Sequence, residues 1–151
     1  MRFKTMRDVL DRVILFHKNL AKFYHNMSDV VQKERVKLLL DYMARHEEHL
    51  QENLARYKGE ISTRLLDTWF KYVPSSNVLK DCEQPVIKPD MSVEEVVTQA
   101  LKFDDCLLNF YNIMAENCCY KDLKEIFTNL ANMEKRNRQN FVRDAQEVYD
   151  L

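Results

Sequence analysis

Apolar residues recur at intervals of three and four positions through most of this chain, which is the pattern of helices that bury one face. The first such stretch predicts a helix over residues 5–31, and the second predicts a helix over residues 33–57. The break between them is short, so the two helices should form an antiparallel hairpin. The sole glycine, Gly59, follows at the place expected for a helix C-terminal cap.

The helical pattern is interrupted over residues 58–91 and then returns. This connection contains all three prolines, and its Ser62 is placed to cap a short helix predicted at about residues 63–72. Ser92 and Glu95 form a capping box that opens a second hairpin over residues 92–149, with helices predicted at 92–117 and 120–149. The long connection would also allow the equivalent helices of the two hairpins to run parallel. We therefore predict a single all-α domain over residues 1–151, an antiparallel four-helix bundle.

The two hairpins are copies of one unit, 87 positions apart, as Phe16 and Phe103 illustrate. Residues identical between the copies include Phe23 and Tyr24, which return as Phe110 and Tyr111. A repeat of this length is one supersecondary unit used twice, and each half covers the apolar face of the other.

Composition and charge narrow the functional classes. The chain has 23 basic and 24 acidic residues and a formal charge of -1, which argues against a nucleic-acid or membrane surface. No apolar run approaches the roughly 20 residues of a membrane span, and the charged N-terminus does not resemble a secretory signal. The four cysteines, at 82, 106, 118 and 119, lack C-x-x-C spacing. We expect a cytoplasmic protein in which these cysteines are reduced thiols.

Acidic residues fall on the helix faces that should be buried. With about 100° per residue, Glu47 lies about 40° from Met43, at the centre of the apolar stripe of the second helix. The same arithmetic turns Glu134 and Asn137 inward on the last helix.

The other two long helices carry a polar residue at a similar depth. His17 lies beside the apolar stripe of the first helix, and Asp104 is its equivalent 87 positions later. We therefore predict that His17, Glu47, Asp104 and Glu134 meet in one cluster inside the bundle. Buried carboxylates must be protonated, paired with a base, hydrogen-bonded or bound to a cation.

With these residues, the chain resembles the ferritin-like superfamily, and most closely its rubrerythrin-like branch. The resemblance covers both hairpins. The pairs Phe23-Tyr24 and Phe110-Tyr111 match the aromatic pairs that follow a metal-binding carboxylate by six residues in that branch. Glu47 and Glu134 match the bridging carboxylates of its Glu-x-x-His motifs. The resemblance implies a ferritin-like bundle and a di-iron centre.

This sequence departs from the family pattern at four of the six ligand positions. His17 replaces the first carboxylate, Asp104 is shorter than the usual glutamate, and Leu50 and Asn137 stand where the two histidines belong. Leucine cannot bind a metal, and an asparagine carbonyl is a weak ligand for iron or zinc. The departures indicate a degenerate di-iron site that binds a single Fe or Zn through His17, Glu47, Asp104 and Glu134, or binds no cofactor.

A second set of candidate metal ligands has the sequence spacing of a metal motif but does not lie on the buried face of its helix. His46 and His49 are three residues apart, yet they lie about 60° and 120° from the stripe centred on Met43. They are therefore weaker candidates than Glu47, unless a π-bulge rotates this part of the helix inward. Asn137 is a similarly weak candidate.

Three functions are compatible with this sequence. The first is a ferritin-like metal-binding protein; no catalytic residue is indicated, and any activity would be weak oxidoreductase chemistry of the di-iron type. The second is a metal-free helical scaffold that binds a protein partner or forms a homodimer, with Trp69, Phe70 and Tyr72 as aromatic contact residues. The third is a binder of an unidentified small molecule in the polar centre of the bundle.

Overall fold

A computed structural model describes residues 5–70, 79, 82 and 88–149, and this part of the chain is helical. Its helices are α1 (Met6–Ser28), α2 (Glu34–Glu60), α3 (Thr63–Leu66), α4 (Val93–Glu116) and α5 (Lys121–Tyr149). Within the described ranges, the β pairing is limited to one isolated bridge, between Thr5 and Trp69. The all-α prediction is confirmed, with two long hairpins and a short extra helix between them.

Local side-chain hydrogen bonds define where the helices begin. Ser92 and Glu95 form the predicted capping box at the start of α4, with the Glu95 N–H donating to Ser92 Oγ over 3.2 Å. The predicted Ser62 cap is also present, since the Leu65 N–H donates to Ser62 Oγ over 3.3 Å. These bonds satisfy N–H groups that have no partner within the first helical turn.

The connection differs from its prediction in two details. Helix α3 ends at Leu66 instead of about residue 72, because the chain beyond it turns to the start of α1, where the Met6 N–H donates to the Thr68 carbonyl. Gly59 lies inside the last turn of α2 and is not its cap; Ile61 has that place, in an extended conformation. Tyr72 and most of the irregular part of the connection lie outside the described residues.

Two hydrogen bonds between α2 and α5 fix the direction of these equivalent helices. The Tyr42 hydroxyl donates to Asp144 Oδ2 over 3.0 Å, and the Asn129 amide donates to Tyr57 Oη over 3.3 Å. The lower-numbered end of α2 thus meets the higher-numbered end of α5, and the two helices are antiparallel. The expectation of parallel equivalent helices is wrong. The repeat offset of 87 converts one of these bonds into the other, so a local twofold axis crosses the bundle.

The cysteine prediction is wrong for one pair. Cys82 and Cys106 form a disulfide, with Cα atoms 5.9 Å apart, whereas Cys118 and Cys119 are free thiols. Because the disulfide partners are 24 positions apart, their pairing depends on the tertiary structure, which brings Cys82 next to α4. The bond fastens the connection to α4 two residues after Asp104. None of the described helices has the length and apolar character that a membrane span requires.

Candidate functional site

Three ionisable side chains lie in the interior of the bundle among apolar residues. The exposed fractions of His17, Glu47 and Glu134 are 2%, 6% and 4%, and these residues come from α1, α2 and α5. Asp104, on α4, is partly buried beside them. All four long helices therefore contribute one member to the predicted cluster.

His17 and Glu47 form a tight pair. The distance between His17 Nδ1 and Glu47 Oε2 is 2.5 Å, and both side chains are almost completely shielded from water. The adjacent Phe16 ring packs edge-on against the imidazole, with ring centroids 5.4 Å apart. An imidazole and a carboxylate at this distance share a strong hydrogen bond, which becomes an ion pair when the imidazole is protonated.

Asp104 and Glu134 form a second pair, in which both members are acids. Burial raises the pKa of Asp104 to about 7, and the negative charge of Glu47 acts in the same direction. Burial also raises the pKa of Glu134 well above its ordinary value, and Asp104 adds to this through its charge and its hydrogen bond. The pKa values of both acids are raised, so the pair retains a proton that the two carboxyl groups can share through their hydrogen bond.

One acceptor of this acid pair is left without a partner. Glu134 Oε1 is buried and accepts no hydrogen bond. Arg138, one helical turn further along α5, lowers the pKa of both acids but forms its ion pair with Asp105, over 2.7 Å. A buried polar atom without a partner costs free energy, about 1–3 kcal/mol in typical cases, and it marks a place where a ligand, water or ion would be stabilised.

The two pairs are equivalent by the internal repeat. Moving 87 positions along the chain converts His17 into Asp104 and Glu47 into Glu134. The local twofold axis of the bundle therefore relates a base–acid pair to an acid–acid pair. The chemical asymmetry of the site arises at a single position of the repeat, at which one copy carries an imidazole and the other a carboxyl group.

Two narrow cavities adjoin the cluster, and each is lined by a tyrosine and by one member of each pair. Tyr24 lines the cavity beside Glu47 and Asp104, and Tyr111 lines the cavity beside Glu134 and His17. Burial, followed by the charges of Glu47 and Asp104, raises the pKa of Tyr24 well above its ordinary value. Burial and the charge of Glu134 have the same effect on the pKa of Tyr111. Both phenols are therefore neutral hydroxyl groups at physiological pH.

The residues that were weaker candidates for metal ligands occupy different environments. His46 lies at the edge of the first cavity, stacked on Phe141 with ring centroids 5.8 Å apart, and burial lowers its pKa. The side chain of His49 is 74% exposed and reaches only Glu52, at 4.0 Å, so it lies outside the cluster. Leu50 is buried, and Asn137 lines the second cavity beside Glu134.

The side chains of His17, Glu47, Asp104 and Glu134 do not surround a common point. Among the described residues, no three His, Cys, Asp or Glu side chains are arranged to hold one metal ion. The reason lies in the pairing: His17 and Glu47 bind each other, and Asp104 and Glu134 bind each other. Any ion held by all four side chains would have to displace both internal contacts.

Sequence reasoning missed the part of the site that is open to solvent. A groove between α2 and α5, lined by Arg56, Arg136, Asn137 and neighbouring residues, lies next to the second cavity. It was missed because these side chains look like ordinary polar helix faces. The recurrence of Asn53 as Asn140, which both line the groove, was the one available signal.

Comparisons with known proteins agree with this architecture. Residues 18–143 match the model of the family described as Rubrerythrin. The fold is similar to the crystal structure of a protein from Thermotoga maritima described as a ferritin-like diiron-carboxylate protein. The TM-score is 0.55 and the sequence identity 15%, with 99% of this chain and 98% of the other covered. No curated protein matches this sequence.

Proposed function

The chain belongs to the rubrerythrin family, and we propose that within this family it binds one divalent metal ion, Fe²⁺ or Zn²⁺, at the buried cluster. The single observation that carries the proposal is Glu134 Oε1, a buried carboxyl oxygen without a partner beside a second acid. An acid pair of this kind lacks positive charge, and a divalent cation would supply it.

The residues present do not fit the di-iron centre that the family implies. Such a centre takes a carboxylate from each of two helices and a Glu-x-x-His motif from each of the other two. Here the two histidine positions are Leu50 and Asn137, and His17 occupies a carboxylate position. Leu50 is buried and offers no donor atom. We therefore derive no two-iron chemistry for this chain.

The same residues fit a single ion better. His17, Glu47, Asp104 and Glu134 together offer one nitrogen and three carboxylates, a donor set acceptable to Zn²⁺ or Fe²⁺. The ion would replace the proton of the acid pair, because ligating carboxyl groups must be deprotonated. The cavities beside Glu47 and Glu134 provide space next to both pairs. A bound ion would supply Lewis acidity, while Tyr24 and Tyr111 would shield it from water.

The proposal is tested by metal titration of untagged protein with Glu134→Gln as the probe. Glutamine keeps the shape of the protonated acid but removes a charged ligand. Glu125→Gln is the matched control, since Glu125 lies on the exposed face of the same helix. We expect one ion per chain in the wild type and in Glu125→Gln, and a loss of affinity of at least about a hundredfold in Glu134→Gln. Equal binding in all three proteins, or no binding in any, would refute the proposal.

A metal-free scaffold that forms a homodimer is the second candidate. It is favoured by Trp69, which is 64% exposed at the end of the described connection. Phe70, by contrast, packs against Phe127 with ring centroids 5.9 Å apart and is less available for a partner. Sedimentation of the wild type and of Trp69→Ala tests this candidate. A dimer that the substitution dissociates supports it, and a monomer at high micromolar concentration contradicts it.

A further inference from the structure

A groove of about 530 Å³ lies between the C-terminal half of α2 and the middle of α5, next to the second cavity. Two arginines, Arg56 and Arg136, contribute to its walls together with a single acid, Glu60. Neither arginine forms an ion pair with a described residue. The groove thus presents an excess of positive charge in a chain whose net charge is -1. Guanidinium groups match the planar geometry of carboxylate and phosphate oxygens.

The groove continues inward to the unsatisfied carboxyl oxygen. Asn53, Met133 and Asn137 line both the groove and the second cavity, so the two spaces adjoin at these side chains. Glu134 lies on the inner side, 4% exposed, and its Oε1 has no hydrogen-bond partner. A molecule seated in the groove would therefore meet amides at its middle and an acceptor oxygen at its inner end.

The groove lies between α2 of one hairpin and α5 of the other, and the local twofold axis relates it to a surface with different side chains. At the equivalent place, His46 stands in the position of Met133, and its ring packs against both Tyr42 and Phe141, which also contact each other. The Tyr42 hydroxyl also donates to Asp144. His46 and Phe141 line the first cavity, and their repeat equivalents Met133 and Leu54 line the second. The repeat equivalent of Tyr42 is Asn129. Smaller or flexible side chains thus replace aromatic rings on the side where the groove adjoins the second cavity.

From these observations we propose that the groove binds a small organic anion that also carries a hydrogen-bond donor. Its oxyanion group contacts Arg56 and Arg136, and its hydroxyl or ammonium group points between Asn53 and Asn137 toward Glu134 Oε1. The arginines and amides are not among the four proposed metal ligands. The inference therefore goes beyond the proposed function, and it is tested in metal-free protein so that either can fail alone.

Calorimetric titration of chelator-treated protein provides the test. Lactate and glycerol 3-phosphate serve as probes, because they distinguish recognition of a carboxylate from recognition of a phosphate. Acetate is a third probe, which lacks the hydrogen-bond donor, and glycerol is a fourth, which lacks the charge. We expect saturable binding of lactate or glycerol 3-phosphate below about 10 mM and none of glycerol. Acetate should bind more weakly than lactate if the carboxylate is the recognised group.

Matched arginine variants separate the groove from general charge effects. Arg56→Ala and Arg136→Ala should each weaken binding of the better probe by about tenfold. Arg143→Ala is the control, because Arg143 is the repeat equivalent of Arg56 but lies beside Asp144 and is not among the residues that line the groove. Since all three side chains are exposed, the substitutions should leave the fold intact, which circular dichroism verifies. The inference is overturned if no anionic probe binds, or if Arg143→Ala weakens binding as much as the two groove variants.

Discussion

Replacing Asp104 with asparagine should make the metal-free protein more stable at neutral and alkaline pH. The pKa of this carboxyl group is raised from 3.8 to about 7, chiefly by burial. The folded protein therefore holds the proton more tightly than the unfolded chain does. The resulting stability is fully present below about pH 4 and is lost as the pH rises through about 7. Asparagine mimics the protonated acid and cannot ionise, so the variant should not suffer this loss.

The magnitude follows from the difference between the two pKa values. A rise from 3.8 to about 7 corresponds to about 4 kcal/mol when the acid is fully ionised. Asp104 is partly exposed, and solvent screening reduces this value. Between about pH 5 and pH 8 only part of this change occurs, so we expect the free energy of unfolding of wild type to decrease by about 1–2.5 kcal/mol more than that of Asp104→Asn.

Urea unfolding in the presence of a chelator, followed by circular dichroism, measures this difference. Comparing each protein with itself at two pH values removes any constant effect of the substitution on packing. Asp90→Asn is a suitable control, because Asp90 is exposed in the loop before α4, and only its backbone carbonyl receives a hydrogen bond, from Lys33. The control should follow the wild type. If Asp104→Asn also follows it, Asp104 is not a carboxyl group that the fold keeps protonated, and the description of the acid pair is wrong.

Three further predictions concern the surroundings of the acid pair. His17→Ala should lower the free energy of unfolding by about 3–5 kcal/mol, because the buried Glu47 carboxyl group would lose its hydrogen bond to the imidazole; a loss below about 1 kcal/mol in urea unfolding would contradict this. Cys106→Ser should lower stability by about 2–4 kcal/mol under non-reducing conditions by removing the bond to Cys82, and added reductant should bring the wild type to the same value. In an alkaline absorbance titration, Tyr111→Phe should leave the phenolate signal of the folded protein unchanged; a smaller signal would show that Tyr111 ionises in the native state.

The spacing of apolar residues was sufficient to predict the helices and the inward-facing acids. Glu47 and Glu134 each lie about 40° from the centre of the apolar stripe of their helix. Helical periodicity alone therefore turns both side chains toward the core. The same rule placed His49 outside, and its side chain is exposed. The capping box at Ser92 and Glu95 is equally local, since all its atoms lie within one helical turn.

Pairing within the cluster depended on contacts between helices. Helical periodicity shows which residues face inward but not which partner each one meets, because depth and rotation about the bundle axis are set by packing. The division into His17–Glu47 and Asp104–Glu134 pairs, the groove at Asn137 and the Cys82–Cys106 disulfide are all of this kind. The direction of α5 relative to α2 also depends on packing between helices. The sequence-based expectation that these helices run parallel was wrong.

The sequence by itself determined the helices, their repeat and the four polar residues that they carry into the core. These properties depend on interactions over a few residues and on the periodicity of one helix. The tertiary structure alone decided that the two repeats meet across a twofold axis, so that a base faces an acid in one half and an acid faces an acid in the other. Electrostatic energies depend on distance and burial. The proton held by the Asp104–Glu134 pair and the unsatisfied Glu134 Oε1 therefore arise only when the four helices are assembled.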